Sequence, residues 1–331
     1  CQALGGEDVS VKCSDNSNED NVGWVSTEIS SSYANIVFLP SRVDTFQSKI
    51  ENFSMFKVVA THQVAHIEYG SFKFNYSKPS NIFSNLRDRI KLSTESDDTH
   101  VLTDMEKFFS LFPEKQLALD IFTIIEDFRL DNKVMIEYKG ISNSYKNVQS
   151  DALKNRPEIR SLPPKESLVE WLLRYSLNQK GKLYSLVRNI SKAKKILSIL
   201  NEIKNPEAIV EDSAEATLRI YSFIASVNQK ENESSWQDIS DELNEDVTPI
   251  DDSEVFKQLE SDQNNSEESN NYEKMQDVEY RGDFKPEIGQ LITDIQSQLE
   301  NPQEEDGDKI TQEMLQSALD RNSDLQGDDS E

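Results

Sequence analysis

Two long segments of this chain, residues 44–69 and 114–138, are apolar around most of their circumference when drawn as helices. A helix of this kind has to be buried against other elements, so the pair predicts a mainly α-helical core. Each segment nevertheless carries ionisable side chains, two histidines in the last third of the first and an acidic pair in the middle of the second. Burying such groups is costly unless they are paired or bound to a metal, so they constrain both the fold and the function.

The spacing of the histidines predicts a metal site. His62 and His66 are four residues apart, so one face of a helix presents both imidazoles about one turn from each other. A later Glu is the usual third protein ligand where such a helix binds zinc in peptidases. We therefore predict a site for zinc or another divalent metal formed by His62, His66 and Glu126. Asp127 and Arg129 would support a histidine or the ligand carboxylate without binding the metal.

The same pattern lacks the residue that makes zinc peptidases hydrolytic. In His-Glu-x-x-His the Glu is the general base for the metal-bound water, but residue 63 here is Gln, which cannot accept that proton. The pattern thus favours a non-catalytic or weakly catalytic domain with a structural or vestigial metal. Two alternatives stay open. One is a zinc-dependent hydrolase in which Glu68 or another carboxylate is the base; in the other, the histidines only pack in the core and Glu126 pairs with Arg129.

Charge divides the chain into regions. The net charge is −26, and 31 of the 61 acidic residues but only 7 of the 35 basic residues follow residue 227. We expect a polar lead-in over residues 1–33 and a helical, zincin-like domain over 34–228. An acidic, disordered linker over 229–331 would follow, with a short helical island near 280–298. This balance disfavours nucleic-acid binding, which needs a clustered basic face, and the sequence has no apolar run long enough for a membrane span.

Several stretches resemble the N-terminal region of NorD/CbbO-type proteins, the nitric oxide reductase activation and Rubisco-activase accessory family. They are residues 36–40, 61–72 and 121–131, and residues 280–287 resemble the linker of that family. Such proteins carry a C-terminal von Willebrand factor A domain with an Asp-x-Ser-x-Ser metal site. No Asp-x-Ser-x-Ser occurs in this sequence, so we expect the chain to be a piece that lacks this domain.

The resemblance implies an adaptor. Proteins of this family work in the cytoplasm with a MoxR-type AAA+ ATPase, and together they activate or remodel a metalloenzyme or another client. Within the acidic region we expect the island to be the segment that docks on a partner, through Arg281, Asp283, Phe284, Lys285 and Pro286.

Overall fold

The structure is a computed structural model that describes residues 9–14, 36–40, 42–90, 103–177, 186–187, 190–227, 237–238, 250–264, 272–282 and 284–300. Over these ranges the chain is mainly α-helical, so the predicted fold class is confirmed. The strands are short: β1 (Ser10–Ser14) pairs in parallel with β2 (Ile36–Pro40), and β3 (Leu186–Val187) pairs antiparallel with β4 (Gln237–Asp238). The helices are α1 (Lys49–Glu68), α2 (Asp104–Phe109), α3 (Lys115–Glu137), α4 (Ser142–Lys154), α5 (Pro164–Leu177), α6 (Ile190–Ile203), α7 (Val210–Ala225), α8 (Asp252–Asn264) and α9 (Pro286–Glu300).

Helix α3 lies at the centre of the fold. It packs against α1, α2, α4, α5, α6 and α7, and its side chains between Leu117 and Val134 are buried on nearly every face. The apolar circumference of the sequence explains this position, because only a helix surrounded by other helices can bury all of it. The polar side chains of α3 must therefore find their partners inside the protein.

The ends of α1 are defined by local sequence signals. The Ser48 side chain caps the first turn by accepting a hydrogen bond from the Ile50 N–H. At the other end Gly70 adopts a φ of +71°, which a glycine reaches without strain, and the Ser71 N–H donates to the His66 carbonyl at 2.9 Å. This turn brings Ser71 back beside His66.

The first turns of α1 depart from the sequence expectation. The apolar pattern predicts burial along the whole helix, but Ile50 is 78% exposed and Phe53 62% exposed. Burial on α1 begins at Met55, on the part of the helix that continues to His66. The histidines lie within that buried part.

The predicted domain boundary at residue 228 does not coincide with the end of the packed structure. Helix α8 packs on α7 and buries Val255 and Leu259. Residues 272–282 and 284–291, which we call the strap, run across the core and bury Val278, Tyr280, Phe284, Ile288 and Leu291. The described parts of the predicted linker thus belong to the fold, because their few apolar side chains are placed to reach it. No helix of the described residues has both the length and the apolarity to cross a membrane.

Candidate metal centre

Two helical faces meet at the predicted site. His62 and His66 lie one turn apart on α1, and Asp127 and Asp131 lie one turn apart on α3. All four side chains are buried. Since α3 has no solvent-facing side here, the two aspartates are turned towards the histidines and not towards water.

Three atoms of the ligand type converge between these helices. They are His62 Nε2, His66 Nε2 and Asp127 Oδ1, which lie within 4.8 Å of one another and have no hydrogen-bond partner in the described part of the chain. Asp127 Oδ1 is 3.4 Å from His62 Nε2 and 3.6 Å from His66 Nε2. A tetrahedral zinc with bonds of 2.0–2.1 Å spaces its ligands by about 3.3 Å. The three unpaired atoms therefore fit a divalent metal.

The second nitrogen of each histidine is held by a partner, which selects the tautomer. His62 Nδ1 lies 3.0 Å from Asp131 Oδ1, and a carboxylate can only accept, so His62 donates there. His66 Nδ1 lies 3.1 Å from Ser71 Oγ, whose own proton is donated to Glu126 Oε1 at 2.5 Å, so His66 donates as well. In the neutral imidazoles both Nε2 atoms are then left with a lone pair facing the other ligand atoms.

The structure corrects the predicted third ligand. Glu126 is ion-paired with Arg129, whose Nη2 lies 2.5 Å from Oε1 and whose Nε lies 2.8 Å from Oε2, and Ser213 Oγ also donates to Oε2. Burial raises the pKa of Glu126, but the Arg129 charge and the hydrogen bonds outweigh it and lower the pKa below its ordinary value. Because each residue turns the helix by about 100°, Asp127 faces α1 in its place. Arg129 supports Glu126 and reaches the histidines only through Ser71.

The charged groups of the centre shift one another's pKa values. Burial lowers the pKa of His62, but Asp127 and Asp131 outweigh burial and raise it to about 9. Burial and neighbouring positive charges hold the pKa of His66 well below its usual range. Burial raises the pKa of Asp127, whereas Arg281 and His62 overcome burial at Asp131 and lower its pKa. His62 must give up its extra proton before its Nε2 can bind a cation.

Gln63 occupies the position of the general base in zinc peptidases, and Glu68 is the alternative candidate for that base. Each of the two side chains has a hydrogen-bond partner of its own. The Gln63 side chain is buried and its Nε2 donates to the Arg281 carbonyl of the strap at 2.8 Å. Glu68 is half-buried and accepts a hydrogen bond from the Tyr138 hydroxyl at 2.5 Å. The amide of residue 63 thus holds the strap, which a carboxylate could not do because it has no proton to donate.

Aromatic side chains of the strap cover both histidines. The Phe284 ring stacks on the His66 ring with centroids 4.4 Å apart and an angle of 19° between the planes. The Tyr280 ring meets the edge of the His62 ring at 5.7 Å. These contacts account for the complete burial of both imidazoles on this side.

Arg281 brings a cation to the two aspartates. Its Nη2 donates to Asp131 Oδ2 at 2.8 Å, its Nη1 donates to Ser176 Oγ at 3.0 Å, and its Nε lies 3.7 Å from Asp127 Oδ2. The Tyr280 hydroxyl donates to the same Asp131 oxygen at 2.7 Å. Asp131 is therefore a junction that joins the strap to His62.

The strap residues predicted to dock on a partner have another environment. Arg281, Phe284 and Pro286 are buried in the molecule and Lys285 is half-buried, while Asp283 lies outside the described residues. The buried side chains are engaged by the metal centre and the core. In this conformation they offer a partner no accessible surface, which corrects the docking prediction for them.

The most important residue that the sequence reasoning missed is Asp131. Its signal is present in the sequence, because Asp127 and Asp131 repeat the four-residue spacing of His62 and His66 and so share one face. Ser71 lies just after the Gly70 turn that ends α1, close to His66 in the sequence. The remaining contributors come from distant segments and carry no local signal: Gln149, Ser176, Ser213 and Tyr280.

The donor set suits a borderline divalent cation. Two imidazole nitrogens and one carboxylate oxygen suit zinc, and the same set is found with iron(II) and related metals. Three protein ligands leave at least one coordination position open. No family model, curated protein or solved structure matches this chain.

Proposed function

We propose that this domain is a divalent-metal-binding adaptor module without peptidase activity of its own. The observation that carries the metal assignment is the convergence of His62 Nε2, His66 Nε2 and Asp127 Oδ1, three buried atoms without a hydrogen-bond partner in the described residues. Leaving three polar atoms buried and unpaired at one point is costly, and a shared cation satisfies all of them. Zinc is the metal we expect.

The surroundings of the centre support a structural role for the metal. Each histidine is oriented by a second hydrogen bond, one to Asp131 and one to Ser71, which is typical of a built metal site. The position that holds the general base of zinc peptidases carries Gln63, and its amide binds the strap. The metal would tie α1 to α3 and so hold the strap-bearing face of the domain in one shape.

The adaptor part of the proposal is supported by the resemblance to NorD/CbbO-type proteins. Two of the stretches that carry it, residues 61–72 and 121–131, supply the metal centre, and residues 280–287 lie in the strap. On this basis the partner is a MoxR-type AAA+ ATPase, the location is the cytoplasm, and the client is a metalloenzyme or another protein that the pair activates or remodels.

The metal assignment is tested by elemental analysis of the purified full chain. We expect about one equivalent of zinc in the unaltered protein and none in His62→Ala/His66→Ala or in Asp127→Asn. Glu126→Gln is the matched control, because it removes the neighbouring carboxylate but no ligand. Zinc lost from Glu126→Gln but retained by Asp127→Asn would overturn the ligand set, and no zinc in the unaltered protein would overturn the metal site.

The adaptor role has its own test. The full chain and a MoxR-type ATPase are mixed and followed by size-exclusion chromatography and by the rate of ATP hydrolysis. Co-elution with a changed hydrolysis rate is the expected result. Separate elution and an unchanged rate would refute the adaptor role and leave the metal site standing.

The hydrolase alternative is tested with a peptidase assay on the zinc-loaded chain. Activity that His62→Ala abolishes would replace the adaptor proposal with an enzyme. We expect none. Gln63→Glu is the informative second variant, since it restores a proton acceptor at the expected position but removes the hydrogen bond to the strap.

A further inference from the structure

The strap touches every proposed metal ligand. Phe284 stacks on His66, Tyr280 contacts His62, and the Arg281 guanidinium lies 3.7 Å from Asp127. The ligand side chains are almost completely buried, with His62 at 0%, His66 at 1% and Asp127 at 3% exposure. A hydrated cation therefore has no route to the centre while the strap is in place.

The strap is the part of this enclosure that is able to move. The other walls include α1 and α3, which carry the ligands and form the core of the fold, and the Phe72 ring, whose centroid lies 5.9 Å from that of His66. Residues 272–282 have no helix or strand, and they are attached by side-chain hydrogen bonds and by the burial of Val278 and Tyr280. Segments held in this way open at a lower free energy than packed helices.

The anchors of the strap fall into two groups. The inner anchors lie at the metal centre: Gln63 holds the Arg281 carbonyl, and Asp131 holds Tyr280 and Arg281. The outer anchors lie away from the metal centre. Gln290 on α9 donates from Nε2 to the Phe74 carbonyl at 2.5 Å and accepts at Oε1 from the Met105 N–H at 2.6 Å. At the other end of the strap Asp120 accepts from the Tyr272 hydroxyl and the Met275 N–H, and Arg156 donates to the Gln276 carbonyl.

Two glycines adapt the strap to this position. Gly282 has a φ of +72°, which turns the chain between Arg281 and Phe284. At Gly289 a Cβ would come within 2.2 Å of the Phe72 ring, so α9 can lie this close only with glycine there. A cleft of about 310 Å³ follows the outer side of residues 276–280, so that this part of the strap borders open space.

We propose that the strap is a gate for the metal centre, so that a divalent cation enters and leaves only when the strap lifts from α1 and α3. This inference depends on the proposed metal site. Lifting the strap also uncovers the open coordination position and the Asp131 carboxylate, and so makes the bound metal accessible to a ligand from outside. The inner anchors transmit the position of the strap directly to His62 through Asp131.

The test measures how fast zinc leaves the full chain. Zinc-loaded protein is mixed with a chromophoric chelator, and the release rate is compared between the unaltered chain, Gln290→Ala and Glu279→Gln. Gln290→Ala removes the outer anchor nearest to Phe284 in the sequence and no group at the metal. Glu279→Gln is the matched control, since Glu279 lies on the strap but is exposed.

The gate predicts a kinetic effect without an affinity effect. Loss of the two Gln290 hydrogen bonds should speed both uptake and release about ten- to a hundredfold, while the dissociation constant is nearly unchanged. Glu279→Gln should match the unaltered chain. Equal release rates in all three proteins, or faster release with a matching loss of affinity, would overturn the gate.

A second measurement needs no variant and decides the matter if Gln290→Ala does not fold. In the unaltered chain the release rate should rise with chelator concentration and then level off at the opening rate of the strap. A rate that keeps rising in proportion to the chelator means that the centre is open, and the gate is refuted. Failure of the unaltered chain to bind zinc at all is a separate result, which overturns the proposed function first and the gate with it.

Discussion

Glu126 and Asp127 are neighbours on α3 and equally buried, yet their environments differ completely. Both oxygens of Glu126 accept hydrogen bonds, and Arg129 lies beside them as an ion-pair partner at i+3. Asp127 has one oxygen near Arg281 and the other facing two histidine nitrogens without a hydrogen bond among the described residues. The comparison teaches that a buried carboxylate is a ligand candidate where the protein leaves an oxygen unpaired, whatever its neighbour in the sequence does.

The largest expected effect is on stability and comes from Glu126, the carboxylate whose two oxygens are both hydrogen-bonded. Glu126→Gln leaves the Arg129 guanidinium buried without a counter-charge, which costs about 3–5 kcal/mol in the free energy of unfolding. Chemical denaturation of the metal-free protein measures it. The zinc content should stay at its original level, and an unchanged denaturation midpoint would show that Arg129 finds another partner.

The next largest effect is on zinc affinity and comes from Asp127, the carboxylate with an oxygen that has no hydrogen bond among the described residues. Asp127→Asn removes a ligand charge while keeping the shape of the side chain, so zinc affinity should fall more than about 100-fold, beyond what outer hydrogen-bond partners alone contribute. Competition with a chromophoric chelator measures the affinity. The metal-free stability should change less than in Glu126→Gln, because the charged partners of Asp127 lie farther away, at 3.4 Å for His62 and 3.7 Å for Arg281, than Arg129 lies from Glu126, at 2.5 Å. An affinity that is equal in both variants would remove the distinction between the two carboxylates.

How far the sequence predicts this arrangement can be judged from the same residues. The two apolar stretches predict α1 and α3 within a few residues, and Gly70 predicts the end of α1. The choice between Glu126 and Asp127 depends on how α3 is rotated against α1, which no local pattern encodes. An Arg three residues after Glu126 and an Asp four residues after Asp127 are the only local hints.

The strap marks the other limit of the sequence. Its acidic and polar composition favours a disordered linker, and its apolar residues are too sparse to predict packing by themselves. They are nevertheless buried, because Tyr280 and Phe284 contact α1 and α3. The hydrogen bonds that hold this segment join residues far apart in the sequence: 218 positions separate Gln63 from Arg281, and 149 separate Asp131 from Tyr280. Such long-range pairings follow from the tertiary fold and not from local propensity.

Asp131 is hydrogen-bonded like Glu126 but lies at the metal centre like Asp127, where it orients the ligand His62 without binding the metal. In Asp131→Asn only one side-chain atom is an oxygen that can accept, so the residue cannot serve both His62 and the Tyr280–Arg281 pair. The metal affinity should therefore fall about 10- to 100-fold. At saturating zinc the stoichiometry should be retained. The affinity is measured by the same chelator competition, and a variant that binds zinc as tightly as the unaltered chain would show that His62 needs no orienting carboxylate.

The smallest effect concerns Asp120, a further carboxylate of α3, which has neither an arginine nor a metal site beside it. Asp120 accepts hydrogen bonds from the Tyr272 hydroxyl, the Met275 N–H and the Gln116 amide, and burial raises its pKa to about 6. The pKa is therefore higher in the folded state than in the unfolded chain. It follows that protonated Asp120 favours folding, and this stabilisation is lost as the pH rises from about 4 to about 6.

The contribution of Asp120 to the pH dependence of stability can be separated from that of the other carboxylates by comparing the unaltered chain with Asp120→Asn. Between pH 4 and pH 7 the free energy of unfolding of the unaltered chain should fall, relative to that of Asp120→Asn, by on the order of 1–2 kcal/mol. Asn keeps an acceptor for Tyr272 and Met275 and cannot titrate. Parallel pH profiles of the two proteins would mean that Asp120 has the same pKa in the folded and the unfolded state. Hydrogen bonds from neutral donors would then offset the burial of a carboxylate without help from a cation, and the contrast between paired and unpaired carboxylates on α3 would have to be explained by hydrogen bonds alone.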